Sequence, residues 1–232
     1  MHHANLLEYV LHVSNEYSQF IGAGFVSFLL LLVGLRMKIH YARKGDAAVA
    51  PDGRVSLVNL MEWAVEQLDG FTVGIIGPKY GRKYTGLIGT LFLFILFMNL
   101  LGNIPGFPAP TANININLGM AVFVFLTYNA IGVKEHGFGY LKHFMGPVLW
   151  LAPLMFLIEL ISHLVRPASL SIRLFGNING DHIAVGIFQD FTYLVIPVFF
   201  MGLGLFVAFI QALVFSMLSA VYIQLALSHE EH

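Results

Sequence analysis

Apolar stretches long enough to cross a lipid bilayer constrain this chain more than any other feature of its 232 residues. A membrane-spanning helix needs about 20 predominantly apolar residues, and several segments approach or exceed that length. They cover residues 20–37, 85–104, 118–133, 147–165, 168–188 and 194–227. Because the bilayer interior offers the backbone no hydrogen-bond partners, helices that satisfy their own backbone are the expected structure. The sequence therefore predicts an all-α polytopic membrane protein.

Composition supports this class and argues against several others. Hydrophobic residues make up 57% of the chain and charged residues 11%, whereas charged residues form about 25% of a typical soluble domain. The chain has no cysteine, which excludes disulfides and thiolate metal sites. Its histidines form no His-x-x-x-His pair, so neither a metal nor another cofactor is predicted. The net charge of −1 gives no sign of a nucleic-acid partner, and the N-terminus lacks the basic start of a signal peptide.

The largest polar segment, residues 38–84, lies between the first two spans and is rich in lysine and arginine. Within it, residues 57–68 have the pattern of an amphipathic helix that lies on the membrane surface. Basic loops mark the cytoplasmic side, so the N-terminus is predicted outside. The fourth segment is expected to end before Pro167, because helices normally stop ahead of a proline. If the segments flanking Pro167 cross the membrane separately, the C-terminus returns outside; if they share one crossing, it is cytoplasmic.

Ionisable residues within the fourth and fifth segments are the main functional candidates, because charges in lipid are costly and usually face a cavity or a partner. Arg173 lies well inside the fifth segment, and arginine keeps its charge when buried. It is interpreted as a functional cation, with snorkelling to the headgroups or a static salt bridge to Glu159 as the alternatives. Arg166 precedes Pro167 and is expected to snorkel.

Helical geometry separates the polar residues that follow Arg173. At roughly 100° per residue, Asn177 lies within about 40° of Arg173 and one turn further along. His182 lies about 180° around the helix and about 13 Å along its axis. Histidine titrates near neutral pH, which suits a proton relay, and a structural hydrogen bond is the alternative role for His182. This spacing suits two separate polar environments better than one compact site.

Further polar residues interrupt the apolar segments. Glu159 and His163 share a helix face at i, i+4 spacing and could line a polar path or pair with each other. Asparagines alternate with isoleucines over residues 113–117, where Asn117 is a possible helix cap. Gln211 is a solitary amide deep in the sixth segment. It must find a hydrogen-bond partner, because unsatisfied polar groups are costly in hydrocarbon.

Separated stretches of the chain carry three motifs. Residues 169–182 read Ser-Leu-Ser-Ile-Arg-Leu-Phe-Gly-Asn-Ile-Asn-Gly-Asp-His. Residues 99–118 begin Asn-Leu-Leu-Gly-Asn-Ile-Pro-Gly and end Pro-Thr-Ala-Asn-Ile-Asn-Ile-Asn-Leu, and residues 210–222 contain Gln-Ala-Leu-Val-Phe and Val-Tyr. In this order they resemble subunit a of the rotary ATP synthases, whose motif places an arginine in Ser-Leu-x-x-Arg-Leu-Phe-Gly-Asn. The resemblance covers about residues 17–228.

The resemblance implies a proton-conducting stator subunit of the membrane sector. In that family, subunit a packs against a rotating ring of c subunits, and two offset half-channels connect each c-subunit carboxylate to opposite sides of the membrane. Arg173 is similar to the arginine that separates the half-channels, favours the ionised carboxylate and so promotes proton release. Gln211 resembles the glutamine that faces this arginine, and Asn177 resembles its polar neighbour.

The same resemblance implies which residues line each half-channel. His182 falls where the family has a Glu or His of the outer half-channel, and Glu159 falls where it has an acidic residue of the cytoplasmic half-channel. Many members carry a His or Glu seven residues before the glutamine, where this chain has Gly204. Asp181, water or an asparagine such as Asn115 is expected to take over that role.

The family's topology is five transmembrane helices and a surface helix, with the N-terminus outside, the C-terminus cytoplasmic and the last two helices forming a long tilted hairpin around the ring. The segment 38–84 then faces the cytoplasm of a bacterial cell, where the b subunits of the peripheral stalk are the expected contact. Members are not catalytic themselves, and this chain has no Gly-x-x-x-x-Gly-Lys-Ser/Thr loop for a nucleotide. An ion-coupled secondary transporter using Glu159, Arg173 and His182 is the alternative, although no internal repeat supports it.

Overall fold

The computed structural model describes residues 15–44, 57–104, 107, 109–137, 152–188 and 195–228. These residues form long helices and one short 3-10 turn, and they contain no strand. The helices are α1 Asn15–Lys44, α2 Leu57–Ile76, α3 Gly81–Gly102, α4 Ile114–His136, α5 Ala152–Phe188 and α6 Val195–Leu227, and the turn is Pro110–Ala112. The prediction of an all-α fold is confirmed.

Within the described residues, five helices are long and apolar enough to cross a membrane: α1, α3, α4, α5 and α6. The protein is therefore an integral membrane protein, and α2 is the additional helix between the first two spans. The apolar spans of α5 and α6 contain 29 and 30 residues. A perpendicular crossing needs only about 20, so both helices are expected to tilt in the bilayer.

The helix end predicted before Pro167 is wrong. Helix α5 is continuous over 37 residues with Pro167 inside it, so the fourth and fifth predicted segments form a single helix. Proline lacks the N–H that would bond to the carbonyl one turn back. A helix in lipid has no water to replace its remaining backbone hydrogen bonds, so continuing through proline costs less than opening the backbone around it. The packing of α5 along α4 and α6 also supports the helix.

The start of α4 also differs from the predicted one. The helix begins at Ile114 rather than near residue 118, and its N-cap is Asn113 instead of Asn117. The Asn113 side chain accepts a hydrogen bond from the Asn115 N–H at 2.9 Å, as an N-cap side chain does. Asn117 lies one turn inside the helix and donates to the Thr111 carbonyl at 2.7 Å.

Helix α2 is longer than predicted and is fastened to its neighbours. It continues to Ile76, two turns beyond the predicted end at Leu68, and packs against α3 and α6. The Thr85 hydroxyl of α3 donates to Asp69 Oδ1 at 2.6 Å. This bond satisfies a carboxylate on α2 and ties the helix to the first turns of α3.

Helix α6 lies at the centre of the bundle, where it packs against α2, α3, α4 and α5. Its buried side carries small residues: Ala208, Ala212, Ser216, Ser219 and Ala220. Small residues allow helices to approach closely in a membrane, where lipid is as apolar as the protein interior. Helix α6 therefore brings α3, α4 and α5 together around a set of polar side chains.

Candidate functional site

Arg173 lies on the exposed side of α5, within the apolar span Pro153–Asp181. It is about 12 Å along the helix from Asp181 at the end of that span. Among the residues that the structure describes, no carboxylate forms an ion pair with Arg173. An arginine inside hydrocarbon needs a partner or water, so this position is suited to a partner from another molecule.

The alternative of a static salt bridge between Arg173 and Glu159 is excluded by the helix itself. Both residues belong to α5, and their offset in sequence corresponds to four turns, or about 21 Å along the axis. An arginine and a glutamate side chain together cannot span that distance. The side chains of Glu159 and His182 lie outside the described part of the structure, whereas the backbone of both belongs to α5.

Asn177 and Gln211 join the two longest described helices, α5 and α6, beside Arg173. The Asn177 amide donates a hydrogen bond to Gln211 Oε1 at 2.8 Å. Gln211 is buried, with 4% of its surface exposed. The sequence predicted that this amide needs a hydrogen-bond partner, and Asn177 supplies it. Asn177 is also one turn beyond Arg173 on a similar side of α5. The pair therefore holds α5 and α6 together next to the arginine.

Replacing Gln211 by leucine is expected to weaken the packing of α5 on α6. Hydrogen bonds between membrane helices contribute about 0.6 kcal/mol on average and up to about 1.7 kcal/mol, so we expect a coupling of roughly 1 kcal/mol between Gln211→Leu and Asn177→Leu. A double-mutant cycle of the free energy of unfolding in detergent measures it. Thr127→Val is the control partner, because the Thr127 hydroxyl bonds within its own helix, to the Phe123 carbonyl. A coupling no larger than that of the control pair would contradict the interaction.

Gly204 on α6 makes room for polar side chains from two neighbouring helices. A Cβ atom at this position would lie 2.7 Å from Asp181 Oδ2 and 2.8 Å from Asn103 Oδ1, too close for either to stay in place. The Asp181 carboxylate of α5 and the Asn103 amide after α3 therefore use the space that a side chain at position 204 would need. Among the substitutes considered for that side chain, Asp181 lies here, whereas Asn115 is exposed on the first turn of α4.

Buried polar atoms gather around the same end of the bundle. Among the described residues at the end of α3, the start of α4 and the turns between them, four buried side-chain atoms make no hydrogen bond: Asn99 Oδ1, Asn103 Nδ2, Thr111 Oγ1 and Asn117 Oδ1. The Asn99 amide donates to the Ala208 carbonyl of α6 at 3.3 Å, one turn from Gly204. Buried polar groups that the protein does not satisfy are usually satisfied by ordered water. These side chains therefore form a polar region suited to water.

Asn99, Asn103 and Thr111 were not singled out as candidates from the sequence. The available signal was the i, i+4 spacing of Asn99 and Asn103, which places both amides on one face at the end of an apolar helix. Sequence alone did not show that this face meets α6 at Gly204. That contact joins residues about 100 positions apart, beyond the reach of any local pattern.

Arg166 does not lie with Arg173. Its guanidinium lies over the ring of Tyr222 on α6, 5.4 Å from the ring centroid, so a cation–π contact rather than snorkelling alone accounts for its position. The Tyr222 ring lies 5.7 Å from Tyr128 of α4, and Tyr128 lies 5.7 Å from the buried ring of His163. These rings connect α4, α5 and α6 two turns before Arg173.

Spanning helices that hold an arginine, an amide pair and a water-suited polar region inside their apolar segments define a class. It is that of polytopic helical membrane proteins with polar and charged side chains placed within their membrane-spanning helices. The chain belongs to the ATP synthase A chain family, whose model matches residues 24–224. The resemblance inferred from the three motifs is thereby confirmed.

Individual members of the family are similar over most of the chain. The protein called ATP synthase subunit a from Bdellovibrio bacteriovorus is 42% identical over 227 residues, which cover 97% of this chain and 98% of that protein. Proteins of the same name from Trichlorobacter lovleyi and Geobacter sp. (strain M21) are 44% and 47% identical. These matches cover 94% and 86% of this chain, and 91% and 85% of the relatives.

Proposed function

We propose that this chain is the proton-translocating stator subunit of the ATP synthase membrane sector. One observation carries the proposal: Arg173 is a permanent cation in the apolar span of α5, and no carboxylate of the described residues pairs with it. Because no described carboxylate neutralises this charge in lipid, we infer a partner that arrives from another chain. The family to which the chain belongs supports this assignment over an ion-coupled secondary transporter.

In this proposal the partner of Arg173 is a carboxylate on each subunit of a rotating c-ring. An opposite charge within about 4–6 Å lowers the pKa of a carboxyl group, so the group releases its proton as it reaches the arginine. The same fixed charge repels a proton that would pass directly between the two sides of the membrane. The exposed position of Arg173 gives the ring access, and the Asn177–Gln211 bond keeps α5 and α6 in register around it.

The outer half-channel runs, in this proposal, through the polar residues around Gly204. Asp181 supplies the carboxylate in place of the missing side chain at position 204, and Asn103 lies beside it. The buried amides of Asn99 and Asn117 orient the water that carries protons to this carboxylate. His182 follows Asp181, about 100° around α5, and supplies a second proton-accepting group.

Glu159 serves the cytoplasmic half-channel in this proposal. It lies about 21 Å before Arg173 along α5, and Asp181 lies about 12 Å after it. The two acidic residues are thus about 33 Å apart along one helix, close to the thickness of the hydrocarbon core of about 30 Å. Four turns also bring Glu159 to within about 40° of the Arg173 direction. Helix α5 therefore carries an access point on each side and the cation that separates them.

Orientation and partners follow from the same reading. Five crossings place the two ends of the chain on opposite sides. The start of α3 and the end of α4 carry Arg82, Lys83 and Lys134, and a basic end marks the cytoplasmic side, so the N-terminus lies outside and the C-terminus in the cytoplasm of a bacterial plasma membrane. ATP chemistry then takes place on other subunits.

The expected partners can be tested by purification. Purified through a tag from bacterial membranes, the chain is expected to sediment with a c-ring and peripheral-stalk b subunits; sedimentation without them would contradict the proposal.

Replacing His182 by alanine is expected to slow proton transport roughly tenfold and to shift its pH profile. Histidine changes charge near neutral pH, and a positioned acid–base group contributes at least about that factor. ATP-driven acidification of reconstituted vesicles, recorded at a series of external pH values, measures both effects. His40→Ala on α1 is the matched control and should leave the profile unchanged. An unaltered profile in His182→Ala would assign the residue a structural role.

A further inference from the structure

A lateral groove opens between α3 and α4, apart from the residues around Arg173. The two helices are described over their whole length, and both pack against α6 but make almost no direct contact with each other. The groove has a volume of about 310 Å³, and its walls come from both helices. It is lined by Thr90, Leu91 and Phe94 of α3 and by Gly119, Met120 and Phe123 of α4.

The chemistry of the groove suits a hydrocarbon chain. Thr90 is the one hydroxyl-bearing residue in its lining, and that hydroxyl is already used, since it donates to the Gly86 carbonyl of its own helix at 2.7 Å. The groove has about twice the volume of an engineered apolar cavity of about 150 Å³ that binds benzene. One acyl chain fits between α3 and α4.

Two lysines, Lys83 of α3 and Lys134 of α4, lie toward the same end of the groove. Lys83 precedes Thr90 by seven residues on α3, and Lys134 follows Phe123 by eleven residues on α4. Both offsets return to within about 20° of the groove side of their helix. Both lysines are exposed. They lie about 10 Å and about 16 Å along the helix axes from the groove lining, within the length of an extended acyl chain.

Two carboxylates at this end, Asp69 and Glu135, are already engaged. Asp69 accepts from Thr85 at 2.6 Å and pairs with Arg82 at 3.8 Å. The Tyr80 hydroxyl donates to Glu135 Oε1 at 2.6 Å, a bond that also brings the start of α3 next to the end of α4. Lys79 lies over the Tyr80 ring, 4.9 Å from its centroid, and Lys79 and Lys83 both act electrostatically on Glu135. With Lys134 beside Glu135 in sequence, the lysines outnumber the one carboxylate that is not paired with Arg82, so positive charge exceeds negative charge at the mouth of the groove.

We propose that this groove is a binding site for an anionic phospholipid. The phosphate lies between Lys83 and Lys134, and one acyl chain occupies the gap between α3 and α4. The positive charge selects an anionic headgroup. The acyl chain packs against the apolar side chains that line the groove. The site is independent of the role proposed for Arg173, because it shares no residue with it.

Photo-crosslinking of the intact ATP synthase complex tests this site. The complex is reconstituted in phosphatidylcholine vesicles that contain a small fraction of phosphatidylglycerol with a diazirine in its acyl chain, and labelled peptides are identified by mass spectrometry. Label is expected on residues 90–94 and 119–123. A phosphatidylcholine probe with the same diazirine should label these residues much less.

Matched variants separate the groove from the general lipid surface. A Cβ atom at Gly119 meets no heavy atom within 4 Å, so Gly119→Leu is compatible with the fold. The leucine side chain fills the groove, and labelling of residues 90–94 and 119–123 by the anionic probe should be lost. Gly34 on α1 is also exposed, and a Cβ atom there meets no heavy atom within 4 Å. Gly34→Leu should therefore retain the labelling of the groove. Lys83→Gln and Lys134→Gln should each reduce the preference for the anionic probe about fivefold, whereas Lys38→Gln on α1 should not.

The proposal is overturned by equal labelling with both probes, or by label that persists in Gly119→Leu. Cross-links from the groove to a helix of another subunit would also overturn it, because the groove would then be a subunit interface. The readout is lipid labelling rather than pumping. Failure of the Arg173 proposal therefore leaves the outcome of this test unaffected.

Discussion

Arg173→Ala is expected to reduce ATP-driven proton pumping to the background level while the complex still assembles. A nearby arginine favours the ionised form of a carboxylate by a factor of about 10 to 1,000, so without it the ring carboxylate keeps its proton and rotation is no longer coupled to transport. Assembly should persist because Arg173 is exposed and makes no ion pair with any described carboxylate. Quenching of a pH-sensitive dye in reconstituted vesicles measures the pumping, and sedimentation measures the assembly.

Two control variants sharpen this experiment. Arg36→Ala removes an exposed arginine from α1 and should pump normally. Arg173→Lys keeps a positive charge but loses the planar guanidinium, and is expected to retain only a small part of the activity. Normal pumping by Arg173→Ala would contradict the assignment of this residue, whatever the other variants do.

Gly204→Ala is expected to lower proton translocation by roughly tenfold or more without destabilising the protein. The added methyl group would lie 2.7 Å from Asp181 Oδ2 and 2.8 Å from Asn103 Oδ1, so both side chains must move away from the proposed outer half-channel. A misplacement on the order of 1 Å can cost about 100-fold in rate. Alanine also favours a helix over glycine by about 0.5–1 kcal/mol, which offsets the cost of moving two flexible side chains. Pumping should therefore fall, whereas the free energy of unfolding should stay close to that of the parent protein.

Gly202→Ala is the matched control for this substitution. It lies on the same helix, is exposed, and a Cβ atom there meets no heavy atom within 4 Å, so both pumping and stability should stay at the parent level or above it. Asp181→Asn should lower pumping as Gly204→Ala does. Because both changes act on one carboxylate, the double variant should lose little more than either single variant. Parental pumping by Gly204→Ala, or fully additive losses, would exclude Asp181 from the outer path.

The helical class and the position of Arg173 inside an apolar helix could be predicted, because both depend on short, contiguous stretches of sequence. The apolar runs need only sufficient length to indicate spanning helices. The motif around Arg173 places the arginine and Asn177 one turn apart on the same helix, a relation that survives in the structure. The predicted helix bounds were wrong at Pro167, where α5 continues, and at the start of α4, where Asn113 is the N-cap residue.

Contacts between helices could not be predicted in the same way. The partner of Gln211 is Asn177, 34 residues earlier, and nothing in the sequence between them specifies that pairing. The packing of Asp181 and Asn103 against Gly204 joins three separate helical regions. In a membrane, the apolar faces that meet lipid and those that meet other helices have similar composition, so hydropathy does not reveal which faces touch.

By itself, the sequence determined that this is a polytopic helical membrane protein, that a permanent cation lies within its apolar region, and which family the chain belongs to. These properties follow from the length of apolar runs and from residues that are neighbours on one helix. Only the tertiary structure decided that α5 continues through Pro167, which places Glu159 too far from Arg173 for a salt bridge. It also decided that Asp181 occupies the space beside Gly204, because that contact depends on the packing of α3, α5 and α6 against one another.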